Sequence, residues 1–430
     1  MPSEAVHRKG PEQVYSDEKG TVDGQVDPDI RIRSTASPAL FRPPLSMLFL
    51  HLLSGFAIVA AHIARGQPPE DWSVNIVEST MSRFTPETIG SWEYFVSLYL
   101  MGQYMVYKRT GEERYMRYIR DWADRWFDED GNFTETISTL DNIQAGNVML
   151  IVYAETGDDK YKGAAQVVRD RFNDYPRTSD GAFWHGPTLR HQVWADGSFM
   201  ANPFLGRWGH MFGESRYTDD ETLEQIMVYG DHLQQQDTGL LLHAYDESRE
   251  AAWADPVTGL SGAQWCRAMG WYGLAITDLL LLVPENHPSR SPVLARLHDF
   301  LSGAQQAQDR DTGRWFEVVN RPEDEENWTE TSCSAMFTYT ADIALKQGWL
   351  QDQKGRYGTM VKNGLAGVMD QVRKNAHGLT DVFEIVVGTN VGDLQFYYDR
   401  PRETNDLHGL GAVLLMNEQV LHGGHITIGK

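Results

Sequence analysis

The residues best equipped for chemistry lie in one run, Trp184-His185-Gly186-Pro187-Thr188-Leu189-Arg190-His191-Gln192-Val193-Trp194-Ala195-Asp196-Gly197. These fourteen residues hold two tryptophans, two histidines and one acid. Aromatic faces pack on sugar rings, imidazoles pair with carboxylates or hydroxyls, and an aspartate enclosed by aromatics is driven toward its protonated form. The combination points to acid catalysis on a carbohydrate. The same run also reads as a tryptophan-rich core in which Asp196 N-caps the apolar segment Phe199 to Leu205. Taken alone, the run does not separate the two.

The elements that must hold these residues are helices. Tyr115, Met116, Ile119, Trp122 and Trp126 recur at the spacing of one helical face. Leu274 to Leu282 is more uniformly apolar, as in a helix buried on all sides, and alternating Val/Ile strands are scarce. An internal repeat says more than any one helix. Thr110-Gly111-Glu112-Glu113-Arg114-Tyr115 returns as Thr156-Gly157-Asp158-Asp159-Lys160-Tyr161 and as Gly213-Glu214-Ser215-Arg216-Tyr217. This is a short turn in which Gly ends one helix and acids begin the next. A second turn follows each hairpin at Gly131, Gly181, Gly239, Gly313 and Gly378, spaced 50 to 74 residues apart. Five hairpins with room for a sixth predict a closed toroid of alternating inner and outer helices; an open solenoid is the competing arrangement.

Composition narrows the function. With 41% apolar and 23% charged residues, the chain is that of a soluble globular protein. A net charge of −22 excludes nucleic acid as a partner and gives an anionic sugar no long-range attraction, so local Arg and His must hold one. Two cysteines, Cys266 and Cys333, exclude a disulfide scaffold and any CxxC metal site, and leave one bridge open. No HExxH, Walker or EF-hand pattern occurs. Neither a metal nor an organic cofactor is expected.

Three segments are expected: a disordered extension over 1–44, an apolar segment over 45–66, and one catalytic domain over 70–430. Leu45 to Ala64 carries no Asp, Glu, Lys or Arg and is just long enough to span a bilayer. It equally fits a secretory signal starting at Met47 with a small-residue cleavage site at Val59-Ala60-Ala61, or a helix packed on the globular body. The balance tips slightly to secretion over a cytoplasmic location, and membrane contact would run only through residues 45–64. The sequence carries no reading of oligomeric state.

In such a toroid, the loops entering the inner helices line one mouth, and that is where the unusual polar residues fall. After the successive turns come Leu140-Asp141-Asn142-Ile143, His185 to Asp196, Leu242-His243, Gln264 to Trp271, Asn327 to Ser332, and Asn405 to Gly409. From about Trp72 to the C-terminus the chain resembles the unsaturated glycuronyl hydrolases, especially the unsaturated rhamnogalacturonyl hydrolase group (glycoside hydrolase family 105, related to family 88). The resemblance is carried in order by Trp92-Glu93-Tyr94, Leu140-Asp141-Asn142-Ile143, Phe183-Trp184-His185, Trp194-x-Asp196-Gly197, Arg267-Ala268-Met269-Gly270-Trp271, Glu330 to Phe337, and Arg402 to His408-Gly409. It departs at Leu189-Arg190-His191, where the family more often has a Tyr-Pro pair, and in the extra N-terminal 70 residues.

The resemblance implies an all-α (α/α)6 barrel, a six-hairpin toroid, behind a non-globular extension. It also implies hydration of an alkene rather than ordinary glycoside hydrolysis. The ligand would be an oligosaccharide whose non-reducing uronic acid carries a C4=C5 double bond, derived from rhamnogalacturonan or a polymer such as ulvan. Asp196 would be the general acid and base and Asp141 its carboxylate partner, the pair raising one pKa so that one acid stays protonated. Against this, a helix N-terminus would lower the pKa of Asp196. His243 and His185 would contact hydroxyls or the carboxylate, and Trp92 and Trp194 would wall the site. Arg267 and Trp271, four apart and so on one helix face, would hold the substrate carboxylate in a planar fork and stack on the ring. An ordinary cation–π pair, a structural histidine or a core tryptophan is the alternative at each place, and Glu330 and His408 read better as capping or supporting residues. Two other functions fit the same barrel: a sugar 2-epimerase using His243 and His408 as paired acid and base, and a catalytically inactive carbohydrate-binding or interaction toroid.

Overall fold

The computed structural model describes residues 70–426 and 428. The expected extension over 1–44 and the apolar segment over 45–66, with its signal, anchor and packed-helix readings, lie outside the described residues.

Two chemical kinds of helix alternate. The outer kind is amphipathic: α3 (Glu113–Asp124) buries Tyr115, Met116, Ile119 and Trp122 and turns Glu113, Arg114, Arg117 and Arg120 to water. The inner kind is buried on all sides: α8 (Cys266–Leu282) is buried from Cys266 through Leu280. The remaining inner helices are α2 (Tyr94–Thr110), α4 (Leu140–Thr156), α6 (Gly197–Phe212), α10 (Thr331–Lys346) and α13 (Leu407–His422). The remaining outer ones are α1 (Trp72–Arg83), α5 (Asp159–Asp170), α7 (Ser215–Leu233), α9 (Arg290–Ala307) and α11 (Arg356–Met369). A short α12 (Leu394–Tyr398) lies in the loop before α13.

Each inner helix packs on the next, and α13 returns to pack on α2, so six hairpins close into an (α/α)6 barrel. Closure needs the first and last inner helices almost in backbone contact. Small residues permit it: a methyl on Gly411 would stand 2.7 Å from Leu98 and 2.9 Å from the Tyr99 nitrogen, and one on Gly102 2.7 Å from Leu414. That seam answers the choice between toroid and solenoid. The repeat turns are also where expected. Gly111, Gly157 and Gly213 cap α2, α4 and α6 in the left-handed conformation, and Gly131, Gly181, Gly239, Gly313 and Gly378 all have positive φ.

Short antiparallel pairs occupy the loops that enter the inner helices. β1 (Gln192–Trp194) pairs with β2 (Ala244–Asp246), β3 (Trp315–Phe316) with β4 (Thr329–Glu330), β5 (Val372–Lys374) with β6 (Thr380–Val382), and β7 (Ile385–Val386) with β8 (Arg402–Glu403). In the first pair Trp194 lies opposite Ala244, which sets Asp196 beside His243. The two cysteines meet in a bridge between the N-termini of α8 and α10, with Cα atoms 5.6 Å apart. Among the described residues no helix is long and apolar enough to cross a membrane.

Candidate active site

Asp141 and Asp196 are both delivered by inner-helix N-termini. Thr139 caps α4 by accepting the Asn142 N–H at 3.2 Å while the Asn142 side chain accepts the Thr139 N–H, which leaves Asp141 in the first turn with its side chain 29% exposed. Asp196 occupies the N-cap position of α6, yet its side chain makes no capping hydrogen bond. Its backbone is already helical there (φ −52°, ψ −42°), not the extended form that a capping side chain needs, so the capping reading of Asp196 does not hold. Gly197 lets the helix start this close: a methyl there would stand 2.6 Å from the Tyr229 hydroxyl.

Each acid is backed by a histidine. His243 Nε2 lies 3.1 Å from Asp196 Oδ2, and His185 Nε2 lies 3.5 Å from Asp141 Oδ1. Both are close charge contacts out of line with a directed hydrogen bond, so Asp196 Oδ2 and His243 Nε2 remain without a hydrogen-bond partner. His243 Nδ1 is held at 2.7 Å by the Tyr397 hydroxyl, and the His185 ring lies 4.3 Å from that of Trp194 at 10°.

The electrostatics depart from expectation. Burial works to raise the Asp196 carboxyl, but His243 and then His185 outweigh it and hold the group below its ordinary value. The anticipated sharing of a proton with Asp141 is therefore not what sets this group in the free protein. The carboxyl pushed up is Glu93, N-cap of α2, which burial and the charges of Asp141 and Glu135 raise to about 7. His185 is raised, with burial opposing and Asp141 prevailing; His243 is lowered, mainly by burial.

Arg267 is fully buried, and its fork is turned away from the role expected of it. Nη1 donates to the Val386 carbonyl and Nη2 to that of Val387, both at 2.6 Å, and Nε has no partner. Its charge still reaches the site: it adds to the burial that lowers His243 and His408, and it opposes the burial that raises Tyr94. The expected cation–π partner is also different: the guanidinium lies 5.0 Å over Trp265. Trp271 is 1% exposed and stacks on Phe199 at 5.1 Å, so one of its faces is already covered. Trp92 is a core residue, stacked on Trp122 and donating its N–H to the Asn142 carbonyl at 2.8 Å. Glu330 caps α10 through the Cys333 N–H and receives the Ser332 hydroxyl and the Val386 N–H, the supporting role its motif suggested.

Three residues were not singled out by sequence reasoning. Glu93 and Tyr94 stand beside Trp92 in a motif whose tryptophan drew attention because its type is conspicuous. Tyr397 lies 154 residues from the His243 it touches, with no local signal. His408 Nε2 meets the Tyr94 hydroxyl at 2.7 Å and its Nδ1 meets Asp406 at 2.5 Å. Both ring nitrogens of His408 are occupied, so it does not present the free imidazole that an epimerase would ask of it, whereas His243 keeps Nε2 without a hydrogen bond.

A six-hairpin barrel with paired Asp–His contacts at the entries of its inner helices is a fold that glycoside hydrolases use, and the chain belongs to Glycosyl Hydrolase Family 88, whose model matches residues 72–422. It is 28% identical over 324 residues to the unsaturated rhamnogalacturonyl hydrolase YesR of Bacillus subtilis (strain 168), covering 73% of this chain and 86% of that one. Among solved structures it resembles a family 105 glycoside hydrolase of C. acetobutylicum ATCC 824, with a TM-score of 0.76 and 28% identity over 81% of this chain and 98% of that one. The unsaturated glucuronyl hydrolase of Bacillus sp. GL1 shares the fold, with a TM-score of 0.60 and 13% identity over 82% and 95% of the two chains.

Proposed function

We propose that this hydrolase removes a 4,5-unsaturated uronic acid from the non-reducing end of oligosaccharides released by polysaccharide lyases. The observation that carries the reading is the pair of carboxylates, Asp141 and Asp196, set at the starts of adjacent inner helices and each backed by a histidine, above a buried arginine with no carboxylate partner. In this reading Asp196 delivers a proton to C4, water adds its oxygen to C5 and returns a proton to Asp196, and the hemiketal collapses to free the aglycone and an open keto-uronate. Asp196 is ionised in the free protein, so it must gain its proton on binding. A substrate carboxylate brought beside it, with water excluded, raises its pKa by charge and by desolvation. Arg267 favours that anion through its field. We assign His185 and His243 to the sugar hydroxyls or carboxylate and Trp194 to the wall behind them; Trp271, packed against Phe199 and Tyr94, backs that wall. The likeness to YesR favours rhamnogalacturonan fragments, with ulvan fragments the other class to test.

The test is optical. The conjugated C4=C5 bond absorbs near-ultraviolet light, so enzyme added to lyase-digested pectin or ulvan makes the absorbance fall. Asp196→Asn lowers the rate by roughly 10²–10⁴. A flat trace on every lyase product, or full activity in Asp196→Asn, overturns the reading.

A further inference from the structure

Tyr94 stands at the head of α2 with its ring edge-on to Trp271, 6.0 Å between centroids. Behind it runs a fully directed chain: the Tyr94 hydroxyl to His408 Nε2 at 2.7 Å, and His408 Nδ1 to Asp406 Oδ1 at 2.5 Å. His408 is buried, and burial together with the Arg267 charge keeps its imidazole neutral. Asp406 is held ionised: burial opposes this, but the contact with His408 prevails. An ionised carboxylate only accepts, so the single ring proton must sit on Nδ1 and point at Asp406. Nε2 then carries a lone pair, and the Tyr94 O–H is spent on it. What Tyr94 has left for the site is lone pairs alone.

Tyr94 is half-buried, and the nearest chain before its oxygen is a glycine. Gly388 is exposed, and a methyl built on it would stand 4.0 Å from the Tyr94 oxygen and 3.9 Å from His408 Cε1. Burial raises the Tyr94 hydroxyl well above its ordinary pKa, Arg267 opposes this and Asp141 and Asp196 add to it, so the charges of the proposed site are felt at its oxygen.

We infer that Tyr94 enters the site as an obligate hydrogen-bond acceptor, kept so by Asp406 through His408, and that it reads a donor hydroxyl of the bound sugar. The identity of the sugar rests on the proposed function; the acceptor role does not. His408 and Asp406 are positioning residues. They select a group that can give a proton and penalise one that can only accept.

Asp406→Asn tests this with little structural cost, because Asn caps a helix as well as Asp and Asp406 caps α13 by accepting the His408 N–H. The same Asp406 oxygen takes the His408 backbone N–H and faces Nδ1. The neutral Asn therefore either keeps its carbonyl on both as a weaker acceptor or turns its N–H to Nδ1. In each case the Nδ1–H form loses the support of the carboxylate charge and the Nε2–H form, in which the Tyr94 O–H is free to donate into the site, gains population. The expected result is read in two ways. Nitrogen-15 NMR of the full chain, with the His408 signal assigned by its loss in His408→Gln, shows the proton on Nδ1 in the parent and on Nε2 in Asp406→Asn. Turnover of the unsaturated uronide falls about tenfold in kcat/KM, mostly through KM, while the unfolding midpoint is unchanged. In a Tyr94→Phe background the same change has no further effect. A proton on Nε2 in the parent, a ring proton unmoved in Asp406→Asn, or an inverted ring with kcat/KM within twofold of the parent, overturns the inference. Failure of the proposed function shows separately, as no turnover by the parent protein, and leaves the NMR result intact.

Discussion

Two arginines buried on inner helices define the difference between the two ends of this barrel. Arg207 on α6 reaches the Asn147 amide oxygen at 2.7 Å and makes an ion pair with Asp278 on α8. Burial pushes the Asp278 carboxyl up, and the guanidinium in contact opposes it. Arg267 lies at the other end of α8, equally buried, and receives carbonyl oxygens in place of a carboxylate. A buried charge is tolerated when paired and hydrogen-bonded. Arg207 meets both conditions and ties three helices together. Arg267 meets only the second, so its field is available to an anion arriving at the mouth.

The comparison breaks or sharpens at four places, beginning with the closed end. Asp278→Ala leaves Arg207 buried and unpaired and should cost about 3–5 kcal/mol in urea unfolding, with kcat/KM per folded molecule within twofold of the parent. A large loss of specific activity there would erase the distinction between the ends. Arg267→Met should do the reverse, lowering kcat/KM for an unsaturated uronide about a hundredfold, the loss expected when a charged hydrogen-bonding group is removed, on the order of 1.5–3 kcal/mol. It should also raise the pKa of His243 and His408, both of which the Arg267 charge holds down, and histidine NMR titration checks this.

A third measurement concerns Glu317, fully buried beside Trp265, whose N–H it accepts at 2.8 Å. Burial and the neighbouring Glu330 push its carboxyl up to about 8, with Arg267 opposing. A folded-state pKa above the unfolded value means that this group's stabilising contribution is complete below about pH 4.5 and is lost as pH rises through about 8. Glu317→Gln, which mimics the protonated acid, should remove that loss: its melting temperature should exceed the parent's at pH 9 and match it at pH 5. Equal midpoints at both pH values count against a protonated Glu317. The smallest effect is expected at Glu93. Because its carboxyl titrates near 7, Glu93→Gln should remove one ionisation from the pH–rate profile and change the optimum rate only about threefold. An unaltered profile would show that Glu93 is not felt by the reaction.

Much of this was legible in the chain because it is local. A glycine forced to positive φ, an acid at a helix start and a 3.6-residue apolar period act within a few residues, so the turns at Gly111, Gly157 and Gly213 and the two helix classes could be read directly. The sequence also named residues that the structure brings together: His185 meets Asp141 and His243 meets Asp196, because inner-helix entries share one end. The roles of the aromatics were less legible. Trp92 packs on Trp122 and Trp271 on Phe199, and the residue type does not distinguish a ring facing a sugar from one facing another ring. The path from Leu189 to His191 also stayed opaque. His191 takes φ 63° and sets its Nδ1 3.3 Å from Glu247, a contact made through the β1–β2 pairing.

The sequence by itself determined the six-hairpin barrel and which polar residues gather at the entries of its inner helices, since helix period, turn residues and motif order are properties of short stretches. Only the tertiary structure decided what each group does. The fork of Arg267 is taken up by carbonyls 119 and 120 residues away, and Tyr94 is made an acceptor by a histidine 314 residues away. Burial works to raise the Asp196 carboxyl and its contacts with His243 and His185 hold it down, while Glu93 is the carboxyl that is pushed up. Protonation and hydrogen-bond polarity depend on burial and on charges within a few ångströms, and those neighbours exist only once the barrel has closed.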